Sequence, residues 1–254
     1  MQCPDITECM CPKVSCPNHG MCCDCVTKHR LTDSLPYCLF PDNGGDKSNE
    51  NHYRVLKKRF EKGGQVMEYT LEQKYELIKQ AALKATSKNP VEIAREIMRN
   101  DFVNIHGPEH HFLDGAAFIM AYRNANGEID PIVCLDELAK RTIKMPGAMC
   151  GYWGICGSVA SVGAALSVIH GTSPLSTDEF YKDNMRFTSA VIAKMAQIGG
   201  ARCCKRNAFL SLSYGAQFVK ERYGIEMERD NIVCDFYPKN AQCLGTKCPF
   251  HQAK

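Results

Sequence analysis

The sequence predicts an all-α helical domain with an N-terminal cysteine-rich metal-binding domain of little regular structure. Three observations carry this expectation. From Met67 onward, apolar residues recur at helical spacing with almost no period-2 alternation. Helix-opening and helix-closing residues punctuate that stretch, at intervals suited to six or seven helices. Eight of the 16 cysteines fall within the first 38 of 254 residues, where large apolar side chains are scarce.

Residues 1–42 form the first expected domain. Leu31, Leu35, Tyr37, Leu39 and Phe40 are nearly all it offers to a core, so something other than burial must hold it. Cys3, Cys9, Cys11, Cys16, Cys22, Cys23, Cys25 and Cys38 include a C-x-C and a C-x2-C pair, with His19 and His29 as further ligands. Structural zinc takes four such groups on short turns, so eight cysteines supply two sites. Each ion would contribute folding free energy on the order of 10 kcal/mol. Iron–sulfur ligation uses the same thiolates, and spacing alone does not separate the two. Zinc is the expected occupant.

Residues 43–66 are expected to be a linker and a basic helix. Residues 41–51 are polar and contain glycine. Residues 52–62 carry five basic side chains and one acid, with Val55, Leu56 and Phe60 at helical spacing. A solvated amphipathic helix explains them more simply than a nucleic-acid contact does.

The helical domain spans residues 67–254, ending in a cysteine-bearing tail. A first helix over 69–86 aligns Leu71, Tyr75, Ile78 and Ala82. Asn89 caps the next, with Pro90 at its first position and Glu92 completing a capping-box pattern. Another starts at Pro108 and closes at Asn126-Gly127. Asp130-Pro131 opens one that ends near Lys144. The uncharged run 154–170 falls short of the ~20 apolar residues a bilayer requires and reads as a buried helix. Ser176, with Glu179 three residues on, opens a long helix stopped by Gly199-Gly200. A last helix covers 203–223, with Phe209, Leu210, Leu212, Ala216 and Val219 on its apolar face.

Charge says little about partners. The 31 Lys and Arg stand against 28 Asp and Glu, a formal +3 that builds no strong field for nucleic acid or membrane. The first residues, MQCPDITECMCP, show neither the basic nor the apolar region of a secretory signal, so a reducing cytoplasm is expected. There, dense cysteine implies metal ligation or thiol chemistry.

Three motifs in the helical domain point to chemistry. In HGPEHHF, His106 precedes a helix whose first turn carries Glu109, His110 and His111, so the motif can hold a metal or an anion. The plainer alternative is that these groups answer the helix dipole. In MCGYWGICG, Cys150 and Cys156 flank glycines that permit close backbone approach, and Cys156 opens the uncharged helix. In GGARCCKR, Cys203 and Cys204 enter a first turn flanked by Arg202, Lys205 and Arg206. Dipole and cations are expected to lower those thiol pKa values, while the basic residues can equally form a solvated rim. If the three helix starts meet, they make one site. His110, His111, Cys203 and Cys204 would then be catalytic, and His106 a metal ligand. Cys150, Cys156, Cys203, Cys204, Cys234, Cys243 and Cys248 would bind a cofactor, an iron–sulfur cluster being the candidate. Cys234 and the C-x4-C pair Cys243 and Cys248, with His251 nearby, can also form a separate three-cysteine-plus-one site.

On these motifs the chain resembles two families of unassigned function common in anaerobic bacteria and archaea. Residues 3–41, with CPNHGMCCDCVTKH and LPYC, resemble a short cysteine-rich domain of unknown function. Residues 66–251, with HGPEHH, G-x4-CG, GG-x-RCCKR and C-x4-CPF, resemble a larger one. The resemblance implies no reaction, but the anaerobic setting suits oxygen-sensitive iron–sulfur or sulfur chemistry.

The leading functional expectation is a cytoplasmic iron–sulfur or zinc protein performing redox or sulfur-transfer chemistry at the Cys/His site. One thiolate would carry a persulfide that its neighbour releases. Its partners would be an electron or sulfur donor, or a small anionic substrate, and no membrane. The alternative is a zinc-stabilised module that binds a partner protein, RNA or a small anion without catalysis. A Walker loop, a dinucleotide fingerprint, G-x-S-x-G and HExxH are all missing from the sequence.

Overall fold

The computed structural model describes residues 9, 11–32, 34–37, 46, 48–62 and 69–251. The chain divides into two compact units, Met1–Glu68 and Tyr69–Lys254.

In the first unit, α1 (Cys22–Leu31) buries none of its residues, and its two large apolar side chains, Val26 and Leu31, are exposed. Helix α2 (Asn49–Lys62) buries Asn51, His52 and Val55. Its start is tied by the Asn51 amide, which donates to the Asp46 carbonyl at 2.7 Å.

The second unit is helical, with no strand among the described residues: α3 (Leu71–Leu83), α4 (Pro90–Met98), α5 (His110–Asn124), α6 (Pro131–Thr142), α7 (Met149–Tyr152), α8 (Gly157–Ile169), α9 (Glu179–Ile198) and α10 (Cys204–Tyr223). Helix α5 is the axis. Every residue from His110 to Tyr122 is buried, because α3, α4, α6, α8 and α10 all pack on it. A helix that is apolar nearly all round is stable only in such a position. Small residues let its neighbours close in, and the Gly115 N–H donates to Ser161 Oγ of α8 at 2.8 Å. Phe112, Phe118, Phe187, Phe209, Ile93 and Leu138 fill the core.

The caps explain most helix starts and correct two expectations. Asn89 and Asp130 each accept two first-turn N–H groups ahead of a proline. Glu92 does not complete a box at Asn89. It accepts instead from Ser87 Oγ at 2.6 Å, and Ser87 Oγ takes the Asn89 N–H. The reciprocal capping box lies at Thr70 and Gln73. Helix α9 starts at Asp178 rather than Ser176, whose hydroxyl is taken up by the Ser173 N–H. The short α7 was not foreseen from periodicity, since four residues are too few to show any.

The tail after α10 folds back on the bundle. Glu228 N–H donates to the Lys88 carbonyl, Asn89 donates to Asp230, and Asp235 pairs with Arg95 and Arg99. Phe236 and Phe250 then pack on Phe209.

Candidate functional site

One cavity of about 300 Å³ lies where three segments meet. His106, His110, His111 and Asp114 come from the start of α5, Cys150 and Cys156 from α7 and the start of α8, and Cys203, Cys204 and Asn207 from the start of α10. The three motifs therefore share one volume. Their helices meet at their N-termini, which concentrates unpaired N–H groups and positive dipole ends at the cavity wall.

His106 is held in a defined tautomer. Its Nδ1 accepts the Cys204 N–H at 3.5 Å, so Nε2 carries the hydrogen and donates to Asn240 Oδ1 at 3.0 Å. Burial lowers its pKa, the Asn240 contact opposes the shift, and Arg202 adds to it. The ring is a neutral link between the cavity and the tail.

His110, Lys205 and Asp114 form a buried charged group. Lys205 Nζ donates to the Asn104 carbonyl and lies 3.0 Å from His110 Nε2, over the face of Phe236. His110 Nε2 also lies 3.2 Å from the Asn104 carbonyl, and its Nδ1 stands 3.8 Å from Asp114 Oδ1. Burial pushes Lys205 down to about 8, against the pull of Cys204, Asp114 and Glu109. Asp114 is fully buried, and neither carboxylate oxygen has a hydrogen-bond partner in the protein. A buried polar group without a partner costs about 1–3 kcal/mol. The nearest charged or ring partner of Asp114 is His110, and the carboxylate lines the cavity wall.

His111 is fixed by contact with α8. A β-carbon at Gly157 would come within 2.2 Å of its Nε2, so only glycine admits the ring there. Its buried ring also faces the backbone carbonyl of Met145, a contact that works against the burial shift. Burial lowers its pKa, against the charge of Asp114.

The thiols differ from expectation. A first-turn position lowers a thiol pKa, yet burial pushes Cys204 up to about 12, with only the Gly107 N–H and Lys205 opposing. Cys156 also rises through burial, against the Asn207 amide, which donates to its Sγ at 3.2 Å, and the N–H groups of Ser158 and Val159. Desolvation outweighs the helix dipole, which contributes only about 0.3–1 kcal/mol. Nor is the basic flank a solvated rim: Lys205 and Arg206 are buried, and only Arg202 is exposed.

The seven cysteines expected at the site fall into two groups. Cys150, Cys156 and Cys204 face the cavity. Cys203, the N-cap of α10, touches its wall but accepts from the Arg206 N–H and from Asn240 Nδ2, each at 3.4 Å. Cys234, Cys243 and Cys248 lie outside the lining, on the tail. In the first unit, Cys9, Cys11, Cys16, Cys22 and Cys25 are half-buried, whereas Cys23 is disulfide-bonded and so, contrary to expectation, not a thiolate metal ligand. There the His19 ring meets the Cys11 carbonyl and His29 meets Ser34 Oγ. Cys3 and Cys38 lie outside the described residues. Among the described residues, no three His, Cys, Asp or Glu side chains stand as a ready metal shell.

Sequence reasoning missed Asp114, Asn207 and Asn240, and gave Lys205 only a flanking role. A signal existed for Asp114, the single acid in the apolar run FLDGAAFIMA, four residues after His110. Asn240 had none, since only the folded tail brings it to His106.

No helix among the described residues is long and apolar enough to cross a membrane. No curated protein and no solved structure matches the chain. Residues 78–251, which contain every residue of the cavity, match the family of unknown function DUF5714, and the chain belongs to that family.

Proposed function

We propose that the cavity is an active site for sulfur transfer or thiol redox chemistry on a small substrate. One observation carries the reading. Cys156 and Cys204, at the starts of two helices, line one cavity together with Asp114, whose carboxylate oxygens have no hydrogen-bond partner in the protein.

In the sulfur-transfer cycle, Asp114 or His111 takes the Cys204 proton as the thiol attacks the outer sulfur of a persulfide donor. The donor's S–S bond breaks and it leaves as a thiol, while Cys204 becomes a persulfide. Cys156 then attacks the inner sulfur of Cys204, releasing hydrosulfide and leaving a Cys156–Cys204 disulfide. An external dithiol supplies two electrons and two protons to restore both thiols. A reducing cytoplasm would provide such a donor.

The test uses the reduced full-length protein, a low-molecular-weight persulfide and a dithiol under anaerobic conditions. Hydrosulfide release is expected. Cys156→Ala should trap a persulfide on Cys204 visible by mass spectrometry, Cys204→Ala should abolish turnover, and Asp114→Asn should slow it about 100-fold. Unchanged release by the Cys156→Ala/Cys204→Ala double variant would overturn the reading.

A second reading has one observation in its favour. Cys150 is a third thiol in the same lining, so Cys150, Cys156 and Cys204 can bind an iron–sulfur cluster with a fourth position left to substrate or a histidine. Iron and labile sulfide in anaerobically purified protein, lost on Cys150→Ala, would establish it. For residues 1–42 we propose zinc as the organising element, because their thiols outnumber their core residues.

A further inference from the structure

A second hollow adjoins the cavity. This cleft of about 280 Å³ lies between the α7–α8 turn, the end of α9 and the start of α10. Cys150, Cys156, Arg202 and Asn207 line both volumes, so the same two thiols border each. Ile192 and Met195 of α9 give the cleft apolar surface, and Arg202 and Arg206 give it charge.

That charge is one-sided. None of the lining residues is acidic, and among the described residues neither Arg202 nor Arg206 forms an ion pair. Arg202 is exposed, but Arg206 is only 6% exposed, and a guanidinium buried without a counter-charge is costly. The hydrogen bonds of Arg206 go to neutral acceptors. Its Nη2 donates to the Ala201 carbonyl at 3.0 Å and its Nε to Asn207 Oδ1 at 3.3 Å. Asn207 in turn donates to Cys156 Sγ at 3.2 Å, which links the guanidinium to the thiol through one side chain. Helix dipoles leave the balance unchanged, because the C-terminal end of α9 and the N-terminal end of α10 meet here with opposite signs. Asp114 lines the cavity but not the cleft, so an anion is favoured in the cleft and opposed beside Asp114.

We infer that the cleft binds the anionic group, a carboxylate or a phosphate, of a small sulfur-bearing substrate whose reacting end lies in the cavity. The inference rests on the sulfur-transfer reading for the identity of the reacting atom. Arg206 and Arg202 supply the counter-charge, and a planar guanidinium presents paired N–H donors that match either anion. The apolar surface of α9 takes the carbon chain that joins the two ends. The two arginines then decide which thiol compounds enter, since one of equal length with a neutral end leaves the buried guanidinium uncompensated.

The experiment measures binding to the reduced full-length protein by calorimetry, without turnover. The probes are 3-mercaptopropionate, its neutral amide 3-mercaptopropionamide, and 2-mercaptoethyl phosphate. The better of the two anions should bind about tenfold tighter than the amide, the factor that one charge-assisted hydrogen bond supplies, and the comparison between them identifies the anion. Arg206→Met should abolish the preference. So should Arg202→Glu, a change at an exposed position that leaves the core intact. Equal binding of all three probes, or a preference that survives both substitutions, would overturn the inference. A second readout needs no measurable affinity. Iodoacetate and iodoacetamide alkylate the same thiols but differ in charge. Relative to the urea-unfolded chain, their rate ratio at Cys150 and Cys156, mapped by mass spectrometry, should shift about tenfold toward iodoacetate and lose that shift in Arg202→Glu. An unshifted ratio in the wild type would refute the subsite. Neither readout uses hydrosulfide release, so an anion preference without turnover would uphold the subsite and sink the transfer reading, and turnover without a preference would do the reverse.

Discussion

Gly157 and His111 are in direct contact: a β-carbon at Gly157 would lie 2.2 Å from both Cδ2 and Nε2 of the imidazole. On an exposed helix, replacing glycine with alanine stabilises by about 1 kcal/mol. Here Gly157→Ala must displace the ring or part α5 from α8. A loss of about 1–3 kcal/mol in chemical denaturation is expected. A neutral or stabilising outcome would show that His111 is free to swing away.

Lys205 and Asp114 should be energetically coupled through His110. Removing the cation alone with Lys205→Met leaves buried carboxylates uncompensated, and a loss of about 3 kcal/mol is expected. Adding Asp114→Asn should restore about 1 kcal/mol or more, a coupling that a double-mutant cycle reads directly. Strict additivity would mean that the two groups do not sense each other.

Asp183 on α9 supplies the pH dependence. Burial works to raise its pKa, but hydrogen bonds from Arg222, Arg186 and Tyr223 outweigh that and hold it below the ordinary carboxylate range. Its stabilisation is therefore complete above the unfolded value, about 4, and is lost as pH falls through the lower native value. Asp183→Asn should cost about 2 kcal/mol at neutral pH and flatten the acid limb of a urea-unfolding series. An acid limb as steep as that of the wild type would assign the dependence elsewhere.

Gly200 has φ +80° and would press a β-carbon against Leu244 at 2.6 Å. A left-handed non-glycine residue costs about 1–2 kcal/mol. Gly200→Ala is expected to lose that much and to speed amide exchange at Cys243 and Cys248, leaving the amides of α5 unchanged. Uniform acceleration across the bundle would mean that the tail is not an independent element.

Local chemistry made much of this architecture legible. Asn89-Pro90 and Asp130-Pro131 announce their helices because cap and proline act within one turn. Glu92 and Ser176 mislead for the same reason, since each has a local partner that competes for its oxygen. The cavity residues were visible as types, but the sign of the Cys156 and Cys204 shifts was not. Burial is set by α5, α8 and α10 together, and no window of sequence contains it. Asp114 and Lys205 were obscured likewise: a lone acid and a lone base acquire meaning only once the bundle shuts water out.

Helix α5 has no outward side from His110 to Tyr122. In a saturation mutagenesis scan, tolerance along α9, with its single buried stripe, should rise and fall every three to four residues. Along α5 it should form an unbroken trough of 13 positions. Variation within the family must then be accommodated by exchanging shapes between α5 and its surroundings, so substitutions there should travel in compensating pairs.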